Sequence, residues 1–178
     1  MSEKGLNVGL IQVYTGDGKG KTTAALGLAL RACGHGLKVY MIQFMKGDID
    51  YGESKAHRFL PNLTIVQFGR ASFVDKDKPA EEDVALAQQA LERAKAVVAK
   101  AEHDIVILDE LNVAIDFRLV DLEEVMNLIN SKPENMEIII TGRNAHEKII
   151  KRADYVTNME KVKHPYDRGV KAREGIEH

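Results

Sequence analysis

The chain of 178 residues has one cysteine, no long apolar run and no excess of basic side chains. A single cysteine, Cys33, excludes an internal disulfide. Its place in the apolar pattern of the first predicted helix makes it a small core residue rather than a reactive thiol. No stretch reaches the roughly 18 apolar residues of a membrane span, and the opening MSEKGLNVGL lacks the apolar region of a secretory signal. The expectation is a cytoplasmic protein with no membrane partner. A formal net charge of -2 argues against a general nucleic-acid surface, so any anion binding must be local. The six histidines include no pair at the i, i+4 spacing of a helical zinc site. Serines are few and none stands in a nucleophile-elbow sequence, so the protein is not expected to supply the attacking group itself. No repeat, low-complexity segment or linker interrupts the chain, which reads as a single domain over 1–178.

Strand and helix signals alternate along the chain. Strands are predicted over Leu6–Tyr14, Leu37–Phe44, Asn62–Phe68, Asp104–Glu110, Met136–Arg143 and Tyr155–Met159. Helices are predicted over Lys21–Cys33, ended by Gly34-His35-Gly36, and over Ser54–Leu60. Val84, Ala87, Leu91, Ala94, Val98 and Ala101 recur at spacings of three and four, which puts them on one face of a long helix. Asp121 and Glu124 form an acidic capping box for a helix to about Asn130, and a short helix follows near His146–Lys151. This alternation implies an α/β fold: a mainly parallel sheet of about six strands with helices on both faces. The closing segment from Lys161 has no clean period and reads as a loop and tail lying over the domain.

The chemistry concentrates in VYTGDGKGKTTAALG, Val13–Gly27, between the first strand and the first helix. Gly16, Gly18 and Gly20 allow successive backbone N–H groups to turn inward around phosphate oxygens, and the helix N-terminus adds positive potential. Lys21 supplies a point charge, and the Thr22 hydroxyl can ligate Mg²⁺ or Mn²⁺. Thr15, Asp17, Lys19 and Thr23 complete the candidate ATP site. Thr15 stands where a P-loop ordinarily begins with glycine. Asp109 and Glu110 close an apolar strand expected to lie beside the first one, and with Thr22 they are the candidate metal ligands. Arg143 and Arg31 are candidates for contacting the triphosphate. From the residues alone, the chain is an Mg²⁺-ATP enzyme acting on a bound second substrate.

Beyond the loop, IQFMKG with the following YGE, then FGRASF, DIVILDELN, ITGRNAH and VKHPYDRGVKAREGIE occur in that order. With the Thr15 variant loop, these blocks resemble the ATP:corrinoid adenosyltransferases of the CobA/CobO/BtuR type over nearly the whole chain. The resemblance implies a P-loop NTPase-like, RecA-like fold. It implies transfer of the 5′-deoxyadenosyl group of Mg-ATP to the Co(I) of a corrinoid, with release of inorganic triphosphate, in adenosylcobalamin biosynthesis or salvage. Lys21, Thr22 and Glu110 would be the catalytic set. It further implies a homodimer and an electron donor such as a flavodoxin or flavin reductase. Family members are thought to strip an axial ligand from cobalt by packing aromatic side chains on the corrin. Where many relatives carry phenylalanine and tryptophan two residues apart, this chain has Ser72 and Val74, so Phe73 is the candidate. Glu53, in the Tyr51–Glu53 segment, and Lys163, His164, Arg168 and Lys171 of the basic tail are candidates for the corrinoid mouth. In some relatives a longer N-terminal segment covers the partner subunit's site, whereas here a handful of residues precede the first strand. Two other readings stay open: a phosphotransferase or ATPase that makes ADP, and a non-catalytic module binding nucleotide and corrinoid.

Overall fold

The computed structural model describes residues 5–47 and 51–177; the opening Met1–Lys4 and the final His178 lie outside them. Six strands, β1 (Ile11–Thr15), β2 (Val39–Phe44), β3 (Leu63–Phe68), β4 (Ile105–Asp109), β5 (Glu137–Thr141) and β6 (Tyr155–Asn158), form one sheet in the order β3-β2-β4-β5-β1-β6. All neighbouring pairs are parallel. The β4 sequence IVILD and the β5 sequence EIIIT are buried at every position, the signature of strands with helices on both faces. Edge strand β6 is exposed throughout.

One face is covered by α1 (Lys21–Gly34), whose Ala25, Ala29 and Ala32 pack on Val39, Met41, Ile105, Ile107 and Ile139. Alanines at spacings of four and three let this helix lie close to the sheet. The other face takes α3 (Glu81–Lys100), α4 (Leu111–Asp116), α5 (Leu122–Asn130) and α6 (Glu147–Arg152), with Leu91, Val98, Leu111, Val125 and Ile149 packed on Ile42, Val106, Leu108 and Ile138. A Leu91→Ala cavity at this fully buried position would cost about 2–5 kcal/mol. The predicted cap of α5 is present: the Asp121 carboxylate accepts from the amides of Glu123 and Glu124 at 2.9 and 3.1 Å. Glu124 does not reciprocate but pairs with Lys95 at 2.7 Å. Cys33 is half-buried on the α1 side of the sheet, and burial pushes its thiol up, away from reactivity.

Several expectations need correction. Strand β4 does not lie beside β1, because β5 is inserted between them. Strand β1 starts at Ile11 rather than Leu6, since the Leu10 amide donates to Glu137 Oε2 at 2.6 Å and the Gly9 amide to the Glu134 carbonyl. The helix expected over Ser54–Leu60 is instead α2 (Gly52–Ala56), followed by a 3-10 turn at His57–Phe59. Helix α4 is hidden in the sequence because its six residues, one position beyond β4, are too few to show a helical period. In the tail, Pro165–Arg168 form a 3-10 turn begun by His164, whose Nδ1 accepts from the Tyr166 amide.

Candidate active site

All six strands point their carboxyl ends to one edge, and the candidate residues gather there because parallel strands place their following loops side by side. The loop after β1 is tightly folded. Gly20 has φ 122° and caps α1 without a side-chain bond, leaving the first-turn amides of α1 with no capping side chain and no acid in that turn. Gly18 lies so close to the chain leaving β6 that a Cβ would stand 2.6 Å from the Glu160 carbonyl oxygen. Its amide donates to the Met159 carbonyl at 2.6 Å. The buried Lys21 ammonium donates to the carbonyls of Gly16 and Gly18 at 2.6 and 2.8 Å. Burial lowers its pKa, while the carboxylates of Glu110, Asp17 and Asp109 act in the opposite sense. Thr15 has its own task, since its hydroxyl accepts from the Ala145 amide at 3.2 Å and ties the loop to the segment after β5.

Asp109 is the buried centre of the site. Its Oδ1 accepts from the hydroxyls of Thr22 and Thr141 at 2.8 and 2.7 Å, and its Oδ2 from Lys46 Nζ and Gln43 Nε2 at 2.8 and 3.1 Å. Burial alone would push this carboxyl up, but the Lys46 charge and these hydrogen bonds outweigh it and hold the carboxyl below its usual range. Lys46 is raised despite its own burial, chiefly by Asp109 and then by Glu53, which lies 3.8 Å away. Both oxygens of Asp109 are therefore engaged. Glu110 behaves in the opposite way: burial and the neighbouring Asp109 charge raise its carboxyl. Its backbone is left-handed, φ 63°, with its amide held by the Thr141 hydroxyl at 2.9 Å. A buried, incompletely compensated carboxylate lining the same cavity as Thr22 suits a hard cation that takes oxygen ligands. Among the described residues no cluster of three or more His, Cys, Asp or Glu could hold a metal by itself.

Glu110 lines three adjoining cavities. The first, about 560 Å³, is lined by the loop from Asp17 to Thr23 and by Arg143, Asn144, Lys76, His164 and Glu177. The second, about 660 Å³, lies between α1 and α2, with Leu26, Leu30 and Leu60 opposite Tyr51 and Glu53. The third, about 340 Å³, runs under the loop carrying Phe73, between Met45, Lys46 and Phe117.

The structure thus brings Asp17, Lys19, Lys21, Thr22, Thr23, Glu110 and Arg143 to one cavity, with Arg143 Nε 3.9 Å from Asp17. It does not bring Arg31 there: that side chain is exposed in the last turn of α1, ten residues and about 15 Å of helix rise from Lys21. The corrinoid candidates are divided, with Phe73 on the third cavity, Glu53 on the second and His164 on the first. Lys163, Arg168 and Lys171 are exposed and line none of these. The tail does lie over the domain, since Lys19 Nζ donates to the Ile176 carbonyl at 3.3 Å. Sequence reasoning missed Lys46 and Gln43, although both lie in the quoted block IQFMKG; a lysine directly after an apolar strand was their only signal.

Comparison with known proteins gives a consistent result. The family model described as ATP:corrinoid adenosyltransferase BtuR/CobO/CobP matches residues 7–178. A corrinoid adenosyltransferase of Escherichia coli K12 is 41% identical over 170 residues, covering 96% of this chain and 86% of that protein. Corrinoid adenosyltransferase CobA of Salmonella typhimurium is 39% identical over 170 residues with the same coverage, 96% and 86%. Among solved structures, the flagellar accessory protein FlaH of Methanocaldococcus jannaschii superposes with a TM-score of 0.57 at 14% identity, covering 88% of this chain and 73% of that one, a likeness of fold alone.

Proposed function

The chain belongs to the ATP:corrinoid adenosyltransferase family, and from that membership we propose how its own residues carry out adenosyl transfer. The Co(I) of a bound corrinoid attacks the 5′ carbon of ATP. A cobalt–carbon bond forms, the carbon–oxygen bond to the triphosphate breaks with its electron pair going to oxygen, and cobalt ends formally as Co(III). The observation that carries this reading is a shared wall: Glu110, Val113 and Phe117 line both the phosphate-loop cavity and the cavity under Phe73. Two substrates seated in adjoining cavities can react directly, whereas simple hydrolysis needs only the first.

Lys21, the amides at the start of α1 and Arg143 stabilise negative charge as it collects on the leaving triphosphate. Thr22 and Glu110 would hold Mg²⁺, which neutralises phosphate charge when bound. Asp109 acts one step back by orienting the Thr22 hydroxyl. Phe73 packs on the corrin, with Glu53 at its mouth. A homodimer, a separate electron donor for the Co(II) corrinoid and a cytoplasmic setting belong to the same proposal and rest on the family likeness; among the described residues no helix is long and apolar enough to cross a membrane.

The raised pKa of Glu110 also suits a base that directs water at the γ-phosphorus. Phosphorus-31 NMR separates the two. With Mg-ATP and chemically reduced cob(I)alamin, the expected product is inorganic triphosphate that depends on corrinoid; ADP and phosphate formed equally without corrinoid would overturn the transfer reading.

A further inference from the structure

The loop between β3 and α3 carries Phe73 at its exposed tip; Val74 beside it packs on the core, and two ion pairs flank that contact. At its start, Arg70 makes a bidentate ion pair with the buried Asp83, at 2.7 and 2.6 Å. Three residues beyond Phe73, Lys76 Nζ reaches Asp116 Oδ2 at 2.7 Å and lies 5.5 Å from the Phe117 ring centroid. The same Asp116 oxygen accepts from Asn144 Nδ2 at 2.9 Å. The second fastening therefore joins three separate segments: the Phe73 loop, the end of α4 and the loop after β5. Lys76, Asp116, Phe117 and Asn144 all line the phosphate-loop cavity.

We propose that Lys76, held by Asp116 and Asn144, is a positioning residue that couples nucleotide occupancy of the phosphate-loop cavity to the placement of Phe73. The first fastening does not line that cavity and serves as a fixed hinge. The second is a partly exposed pair, with side chains 51% and 23% exposed, so it adds little by itself to the placement that Val74 and the first pair give the loop. A polyanionic nucleotide brings a second negative group to the wall where the Lys76 ammonium lies, and so strengthens its hold. Nucleotide binding then orders the loop before the second substrate is engaged. The consequence for catalysis rests on the adenosyl-transfer reading; the coupling itself does not.

The chain contains no tryptophan, so Phe73→Trp supplies a unique reporter at the loop tip. The experiment measures the fluorescence anisotropy of this variant while titrating Mg-ATP, without corrinoid, in the Phe73→Trp background alone and with Lys76→Arg or Lys76→Met added. Mg-ATP is expected to raise the anisotropy in the background and with Lys76→Arg. With Lys76→Met the rise should be largely lost, while the Kd for Mg-ATP, by reciprocity, weakens only by about fivefold, the low end of ordinary coupling. An equal rise in all three, or none in the background, overturns the proposal. So does a loss of ATP affinity with Lys76→Met well beyond about 150-fold, the upper end of ordinary coupling, which would make Lys76 chiefly a nucleotide ligand. Because no corrinoid enters the measurement, a failure of adenosyl transfer in the phosphorus-31 experiment is seen separately.

Discussion

Glu110 stands between two regions built on opposite terms. On one side, Asp109 is wholly buried and receives hydrogen bonds from Thr22, Thr141, Lys46 and Gln43, which come from three segments: the start of α1, the end of β5, and β2 with the residues after it. On the other, Phe73 lies fully exposed on a loop held by two ion pairs. A phosphate site needs fixed dipoles and charges before its ligand arrives, because reorganising them during the reaction would cost much of their benefit. On the proposed reading the cavity under Phe73 admits the corrinoid, and a large flat ligand calls for a wall that can move. The contrast teaches that a buried carboxylate is fixed through its own hydrogen bonds, whereas an exposed aromatic is placed only through the loop that carries it.

The largest effect should come from emptying the rigid side. Asp109→Ala leaves Lys46 without its main partner, and stability is expected to fall by about 3 kcal/mol in urea denaturation, near the lower end for broken buried pairs because Lys46 retains some solvent. An unchanged urea midpoint would show that the cluster contributes nothing to the fold. Lys21→Ala should leave the fold in place and lower kcat/KM for ATP about 100- to 1,000-fold, the usual cost of losing one charge-stabilising group. An unchanged kcat/KM would remove Lys21 from catalysis.

Acid titration sharpens the same comparison. The Asp109 carboxyl is held below its usual range against the opposing effect of burial, so its stabilisation is complete above the unfolded value of about 3.9 and is lost as pH falls through the lower folded value. The stability gap between the wild type and Asp109→Asn should therefore narrow progressively below about pH 4; a gap independent of pH would assign it to packing instead. The smallest effect on stability belongs to Phe73→Ala, expected within about 0.5 kcal/mol of wild type because the side chain is solvent-exposed. Its activity loss should be several-fold greater from Co(II) corrinoid than from pre-reduced Co(I). Equal losses from both would take Phe73 out of the redox step.

Much of the phosphate side was legible in the chain. Glycine spacing, Lys21 and Thr22 are local features whose chemistry needs only a strand before them and a helix after. The sheet itself was legible for a similar reason: β4 and β5 are continuous apolar runs that suit only a doubly covered strand. Less readable was α4, whose six residues after the two acids are too few to show a helical period. The insertion of β5 between β1 and β4 was unreadable, because strand order depends on pairings far apart in sequence. Lys46 was missed for the same reason, its meaning coming from Asp109, 63 residues away.

The sequence by itself determined the six strands and the longer helices, the phosphate loop and the ordered blocks that identify the family, since each depends on residues close together along the chain. The tertiary structure alone decided that Asp109 faces inward while Glu110 faces three cavities, that Arg31 lies far from the loop, and that Lys76 meets Asp116. Those outcomes depend on which strands become neighbours and on the left-handed turn at Glu110, which sends two adjacent carboxylates into different surroundings.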